Sequence, residues 1–158
     1  MDIAREVGIR TASVHYYFPA KADLGVAVIR MHQERFHEMA DELQQAGPQE
    51  RLQKFLDNYS TISAANKVCL VGALATAFRT LDEPIQHELK VFAAMILDWM
   101  TQVLTDGKEK GIFHFSIAPR TKAVMIIGNM LSVVQLARLT SPEDVNLVKR
   151  TIIEDLTK

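Results

Sequence analysis

The sequence predicts an all-α protein, and three observations carry that reading. No run of residues alternates apolar and polar side chains between hairpin turns, which is the mark of a strand. Apolar residues recur instead at three- and four-residue steps. Pro19, Pro48, Pro84, Pro119 and Pro142 each stand just before such a segment, where proline is tolerated in the first helical turn. The 158 residues suit one large domain or two small ones. A chain of this length buries about two-thirds of its unfolded surface, so it needs no disulfide or metal to hold a core.

In chain order the periodicity predicts short helices over 2–7 and 11–17, then long ones over 21–45 and 49–66. A shorter helix is expected over 70–81, followed by helices over 83–110, 119–139 and 142–157. Gly47 and the pair Gly107 and Gly111 mark helix ends. Ser141-Pro142-Glu143-Asp144 reads as a capping box with Asp in the usual place of Glu. Ile85, Leu89, Phe92, Ile96, Trp99 and Val103 form one apolar stripe for a buried face. The helix over 119–139 is apolar nearly all round and must be covered on both sides, by a second copy of the chain or as the centre of a monomeric bundle.

Composition bounds the function. Apolar residues make up 48% and charged ones 23%, which excludes a disordered chain. A net charge of −1 argues against general polyanion binding and leaves room for a small DNA-reading surface. The longest nearly uncharged run, 123–137, is shorter than the roughly 20 residues of a membrane span, and Asn129, Ser132 and Gln135 interrupt it. The opening residues carry no apolar leader, so the expected location is the cytoplasm, with no membrane partner. The one cysteine, Cys69, cannot form an internal disulfide or a cysteine-ligated zinc site.

Residues 1–21 carry the functional signal. Ala4, Gly8 and Val14 have helix-turn-helix spacing: a small residue for close approach, a glycine for the turn's positive φ, a β-branched wedge between the helices. Ile3, Val7 and Phe18 complete the seam. Thr11, Ser13, His15, Tyr16 and Tyr17 follow, hydrogen-bonding or aromatic, and two adjacent tyrosines cannot both face inward. From Val7 to Ala22 there are two cations, Arg10 and Lys21, and no acid. Phosphates and base edges of a duplex engage such groups.

Asp2-Ile3-Ala4-Arg5-Glu6-Val7-Gly8-Ile9, followed by Ser13-Val14-His15-Tyr16-Tyr17-Phe18-Pro19-Ala20-Lys21, resembles the DNA-binding segment of TetR-type transcriptional regulators. Cys69-Leu70-Val71-Gly72, the stretch from Gly107 to Phe113, and Pro119 opening an apolar helix resemble that family's ligand-sensing half in outline. The resemblance implies a helix-turn-helix domain over 1–25 and a helical sensing and dimerisation domain over 26–158. It implies that Thr11, Ala12, Ser13, His15 and Tyr16 face the major groove, with Arg10 at its edge and Tyr17 and Lys21 on phosphates. Ile3, Ala4, Val7, Val14 and Phe18 would form the small domain's core. The implied partners are an operator duplex, a second copy of the chain through the helices over 119–139 and 142–157, and a small effector that changes the separation of two reading heads. Half-sites about 34–36 Å apart are read only when that separation fits.

The sequence also departs from the family pattern. Members open with a further helix packed across the helix-turn-helix, and this sequence starts within what would be the second. Its seam is therefore expected to be partly open to water, and the N-terminal domain loosely held. His15 replaces a tyrosine usual in the family, and Arg10 and Ala20 replace capping residues, each a loss of about 1 kcal/mol.

Phe55, Tyr59, Phe78, Phe92, Met95, Trp99 and Met125 would give an aromatic and thioether lining for an apolar or aromatic effector, or else a filled core. Cys69 reads as a small buried residue at a helix start or, in the sharper reading, as a redox or electrophile sensor with Lys67 nearby. Glu34 and His37 have the spacing of a di-iron ligand pair, but no second such pair exists. His32, His87 and His114 stand alone, and no phosphate-binding glycine loop occurs. The expectation is no metal, no cofactor and no enzyme. A sensing module without DNA binding is the alternative.

Overall fold

Helix starts follow the prolines. In the computed structural model, which describes residues 3–8 and 10–158 and only the backbone of residues 3 and 4, Pro48, Pro84 and Pro119 each occupy a first helical turn. The elements are α1 (Ile3–Glu6), α2 (Thr11–Tyr17), α3 (Lys21–Glu42), α4 (Pro48–Ala64), α5 (Leu70–Thr76), α6 (Glu83–Glu109), α7 (Pro119–Ala137) and α8 (Glu143–Thr157), with a 3-10 turn at Phe78–Thr80. The described residues contain no strand, and the fold is all-α.

Two apolar clusters are built around α6. Its C-terminal half packs with α4, α7 and α8, where Leu52, Leu56, Met100, Leu104, Met130 and Leu156 are fully buried. Each such side chain contributes about 1.5–3 kcal/mol. Its N-terminal half packs with α3, α5 and the 3-10 turn around Ile29, Ile85, Leu89 and Phe92. Phe36 and Ile96 touch both clusters. Polar contacts stitch the helices: Lys149 to Asp57 at 2.6 Å, Ser60 to Asn146 at 3.0 Å, and Arg51 to Asp106. The His114 amide donates to the Leu156 carbonyl at 2.7 Å, tying the α6–α7 loop to the last turn of α8.

α6 ends in a Schellman turn. Ile112 N–H donates to the Gly107 carbonyl and Gly111 N–H to that of Lys108, with Gly111 at φ 65°. The Phe113 ring, 1% exposed, then lies on Gly107 so closely that a Cβ there would fall inside it, 2.8 Å from Cγ.

Some local expectations change. α3 ends at Glu42, and a turn through the buried Leu43 leads to Gly47, which starts α4 and ends no helix. The helix expected over 70–81 breaks at Ala77, where the Thr76 and Thr80 hydroxyls donate to the carbonyls of Ala73 and Ala77. Such side-chain bonds compete with continued helix. The capping box at α8 is rearranged: the Ser141 hydroxyl accepts from Glu143 N–H at 3.3 Å, and the Asp144 carboxylate accepts from the Thr140 hydroxyl at 2.6 Å. Residue 2 of the expected first helix, and the side chains of Ile3 and Ala4, lie outside the described residues.

The stripe on α6 is inward as expected, with Ile85, Leu89, Phe92 and Val103 buried and Ile96 and Trp99 half-buried. On α7, Ala123, Ile126, Met130, Val133, Val134 and Ala137 are buried, whereas Val124, Met125 and Leu136 are about half exposed (52%, 51% and 53%). Leu147 on α8 is similarly bare.

Candidate functional site

The segment expected to read DNA is a short loop and two short helices, α1 and α2. Gly8 has φ 69°, a value its neighbours' side chains would resist, and its N–H donates to the Arg5 carbonyl at 3.3 Å. That turn lets α2 leave α1 at an angle. On α2, Val14 is half-buried, as is Phe18 just beyond, while Val7 is 61% exposed. The seam is thus only partly covered.

Every other side chain singled out for the DNA surface is on the outside. Arg10, Thr11, Ala12, Ser13, His15, Tyr16, Tyr17 and Lys21 are all exposed. Tyr16 and Tyr17 stand edge to face with ring centres 5.1 Å apart, both more than 70% exposed. Sequence reasoning required one of them outside; both are. Arg10 makes no side-chain cap on α2. Asp23 supplies the cap that Ala20 cannot: its carboxylate accepts from the Ala20 N–H at 2.8 Å, fixing the start of α3 and thereby the position of Lys21. The signal was readable as an acid three residues after the cap position.

α3 connects α1 and α2 to the rest of the helical fold. It is held on α6 by Arg30, which donates to Glu88 at 2.6 Å, and by Gln33, which donates to the Glu88 carboxylate and carbonyl at 3.2 Å. The Arg30 hydrogen bond chiefly, with help from Gln33, holds the Glu88 carboxyl below its usual pKa against the opposing effect of burial. Burial, then the nearby Arg35, lowers the pKa of His32 on the same helix.

The residues expected to line an effector site are distributed unevenly. Phe55, Tyr59 and Phe92 are buried, and Trp99, Met95, Phe78 and Cys69 half-buried. Phe36, which sequence reasoning missed, contacts both Phe92 (6.2 Å between ring centres) and Trp99 (5.6 Å); Trp99 continues to Phe55 and Phe55 to Tyr59. A continuous aromatic run therefore crosses from α6 to α4. Phe78 and Met95 belong instead to the α3–α6 cluster, and Lys90 lies 5.3 Å over the Phe78 ring. Met125 is on the bare outer face of α7, because its neighbours at 123 and 126 take the inward positions. Among the described residues no cluster of His, Cys, Asp or Glu could hold a metal ion, and no helix is long and apolar enough to cross a membrane.

Comparison with known proteins decides the family. Residues 48–152 match the profile described as Tetracyclin repressor-like, C-terminal domain. The chain belongs to the TetR family. Its fold is that of TetR-family regulators throughout: a family member from Agrobacterium tumefaciens superposes with a TM-score of 0.91 at 25% identity, covering 99% of this chain and 85% of that one. A TetR transcriptional regulator from Legionella pneumophila gives 0.86 at 32% identity, over 98% and 84%. Bacillus subtilis FadR in complex with stearoyl-CoA shares the fold at 17% identity, with a TM-score of 0.74 over 99% and 85%. No curated protein sequence matches the chain.

Proposed function

We propose that this TetR-family chain is a homodimeric, ligand-responsive DNA-binding regulator, a repressor that a small apolar or aromatic effector releases from its operator. The exposed, acid-free stretch from Arg10 to Lys21 carries the reading. It offers hydroxyls, an imidazole and two tyrosines on α2, with Arg10 just before that helix and Lys21 at the start of α3, the groups that base edges and phosphates engage. The bare stripe of Val124, Met125 and Leu136 on α7 with Leu147 on α8 supports pairing with a second copy. The aromatic run from Phe36 to Tyr59, and the acyl-CoA bound by the B. subtilis relative, support an effector with an apolar body.

The test is anisotropy titration against duplex from the gene's own upstream region at two salt concentrations. Submicromolar binding that falls steeply with salt and survives non-specific competitor supports the reading. Equal micromolar binding to any duplex counts against it. The second reading is a dimeric sensing module that does not read DNA. It predicts effector binding and no specific duplex.

A further inference from the structure

α2 carries one side chain of the type that changes charge near neutral pH, and it stands on the outside: His15 is exposed. Val14 and Phe18, both half-buried, mark the inward side of this helix and its cap. At about 100° per residue Tyr16 points directly away from them, and His15 and Tyr17 stand about 80° to either side of the inward line. A helix seated with Tyr16 toward the base pairs therefore turns His15 and Tyr17 to the two edges of the groove, where the phosphates run.

The charged groups around His15 come from three places. α1 packs against α2 and brings Arg5 and Glu6, both exposed. Arg10 immediately precedes α2, and α3 follows with Lys21 and Asp23 in its first turn. The Asp23 carboxylate is already engaged, accepting from the Ala20 N–H at 2.8 Å. The stretch from Val7 to Ala22 contains no acid, and among the described residues no carboxylate forms an ion pair with the His15 ring. The described residues thus give an imidazolium no paired anion, whereas a phosphate oxygen accepts a charge-assisted hydrogen bond from the protonated ring and so favours that form.

We propose that duplex binding is proton-linked through His15: the ring takes a proton from solvent as DNA binds, and its imidazolium donates to a phosphate oxygen at the groove edge. The inference rests on the reading of the chain as a DNA-binding regulator and adds a regulator to it, pH. The bound state holds one proton more than the separate partners, so affinity rises as pH falls, by at most about tenfold per pH unit. The gain is complete below about pH 6.5, the ordinary midpoint of an imidazole, and is lost as pH rises through the higher midpoint of a phosphate-bound one.

The test is anisotropy titration of the full chain against duplex from the gene's own upstream region, at about pH 6 and about pH 8 and equal ionic strength. The parent should bind about tenfold more tightly at the lower pH, the worth of one charge-assisted hydrogen bond. His15→Gln keeps a hydrogen-bonding side chain without the charge, so it should bind equally at both and match the parent at the higher pH. His32, His37, His87 and His114 are present in both proteins, so the difference between them isolates His15. At the lower pH the substitution should also reduce the log-log salt slope by about 1, the mark of one phosphate contact, and at the higher pH leave it unchanged. Specific binding by the parent that is flat in pH overturns this inference alone. So does a pH dependence that His15→Gln retains while helical by circular dichroism, or a salt slope it leaves unchanged at the lower pH. A parent that binds no duplex specifically at either pH overturns the regulator reading, and this inference falls with it.

Discussion

Replacing Gly107 by alanine sets two known effects against each other, and the structure decides the sign. Alanine is the better helix former by about 1 kcal/mol, and Gly107 lies inside α6, so propensity alone predicts a gain. The new Cβ would fall within the Phe113 ring, 2.8 Å from its Cγ. That ring is 1% exposed, and its own N–H is bonded back to the Gly107 carbonyl at 3.0 Å, so it has little room to swing away. Accommodating an overpacked methyl costs about 1–3 kcal/mol. Expelling the ring altogether would cost about 3–5 kcal/mol, as when Phe is cut to Ala. After the propensity gain, the net loss is about 2 kcal/mol, or a fall in Tm of about 4–8 °C for a chain of this size. Thermal melts of Gly107→Ala, Phe113→Leu and the double variant measure it. With the ring gone, Gly107→Ala should cost nothing or stabilise, a strong non-additivity. A Gly107→Ala protein that melts within about 1 °C of the parent, or two losses that simply add, would refute the packing argument.

Other outcomes follow from the same structure. Lys21→Ala should weaken duplex binding about equally for all sequences and reduce the log-log salt slope by about 1, read from titrations at several salt concentrations. Leu136→Asp places a charge on the bare stripe of α7, so sedimentation should show a monomer that remains helical by circular dichroism. Arg51 bonds Asp106 and holds its carboxyl below the usual range, against burial and with help from Gln102. The unfolded chain therefore takes up that proton first as pH falls; the contribution is complete above about pH 4 and is lost as pH drops through the lowered value. Melts across that window should be less pH-dependent in Asp106→Asn. Arg30 is 62% exposed, so a double-mutant cycle with Glu88 should return only about 0.2–1 kcal/mol.

What could be read from the sequence was what local chemistry decides. α2 runs over Thr11–Tyr17 as its composition indicated, and the helical repeat required at least one of Tyr16 and Tyr17 outside, where both lie. The inward stripe of α6 was legible for the same reason. Tertiary decisions were not. Phe36 lies at the centre of the aromatic run, yet its neighbours Glu34, Arg35 and His37 made that stretch of α3 read as a solvated face. The spacing of Ala22, Val26, Ile29 and Phe36 was the available signal. Met125 could be assigned to the interior only because α7 is apolar on every side, which hides its inner face from any periodicity. The break at Ala77 depends on two threonine hydroxyls choosing carbonyls, a competition that propensity does not resolve.

The helix that begins at Lys21 carries, fifteen positions on, the ring that touches Phe92 and Trp99. Lys21 and Phe36 are thus the two ends of a rigid arm about 22 Å long. Turned about its inner end by about 5°, such an arm displaces the outer end by about 2 Å, several times the tolerance of a hydrogen bond to a phosphate or a base. A crowding of the aromatic rings too slight to alter the core would be magnified at the far end into contacts made or missed.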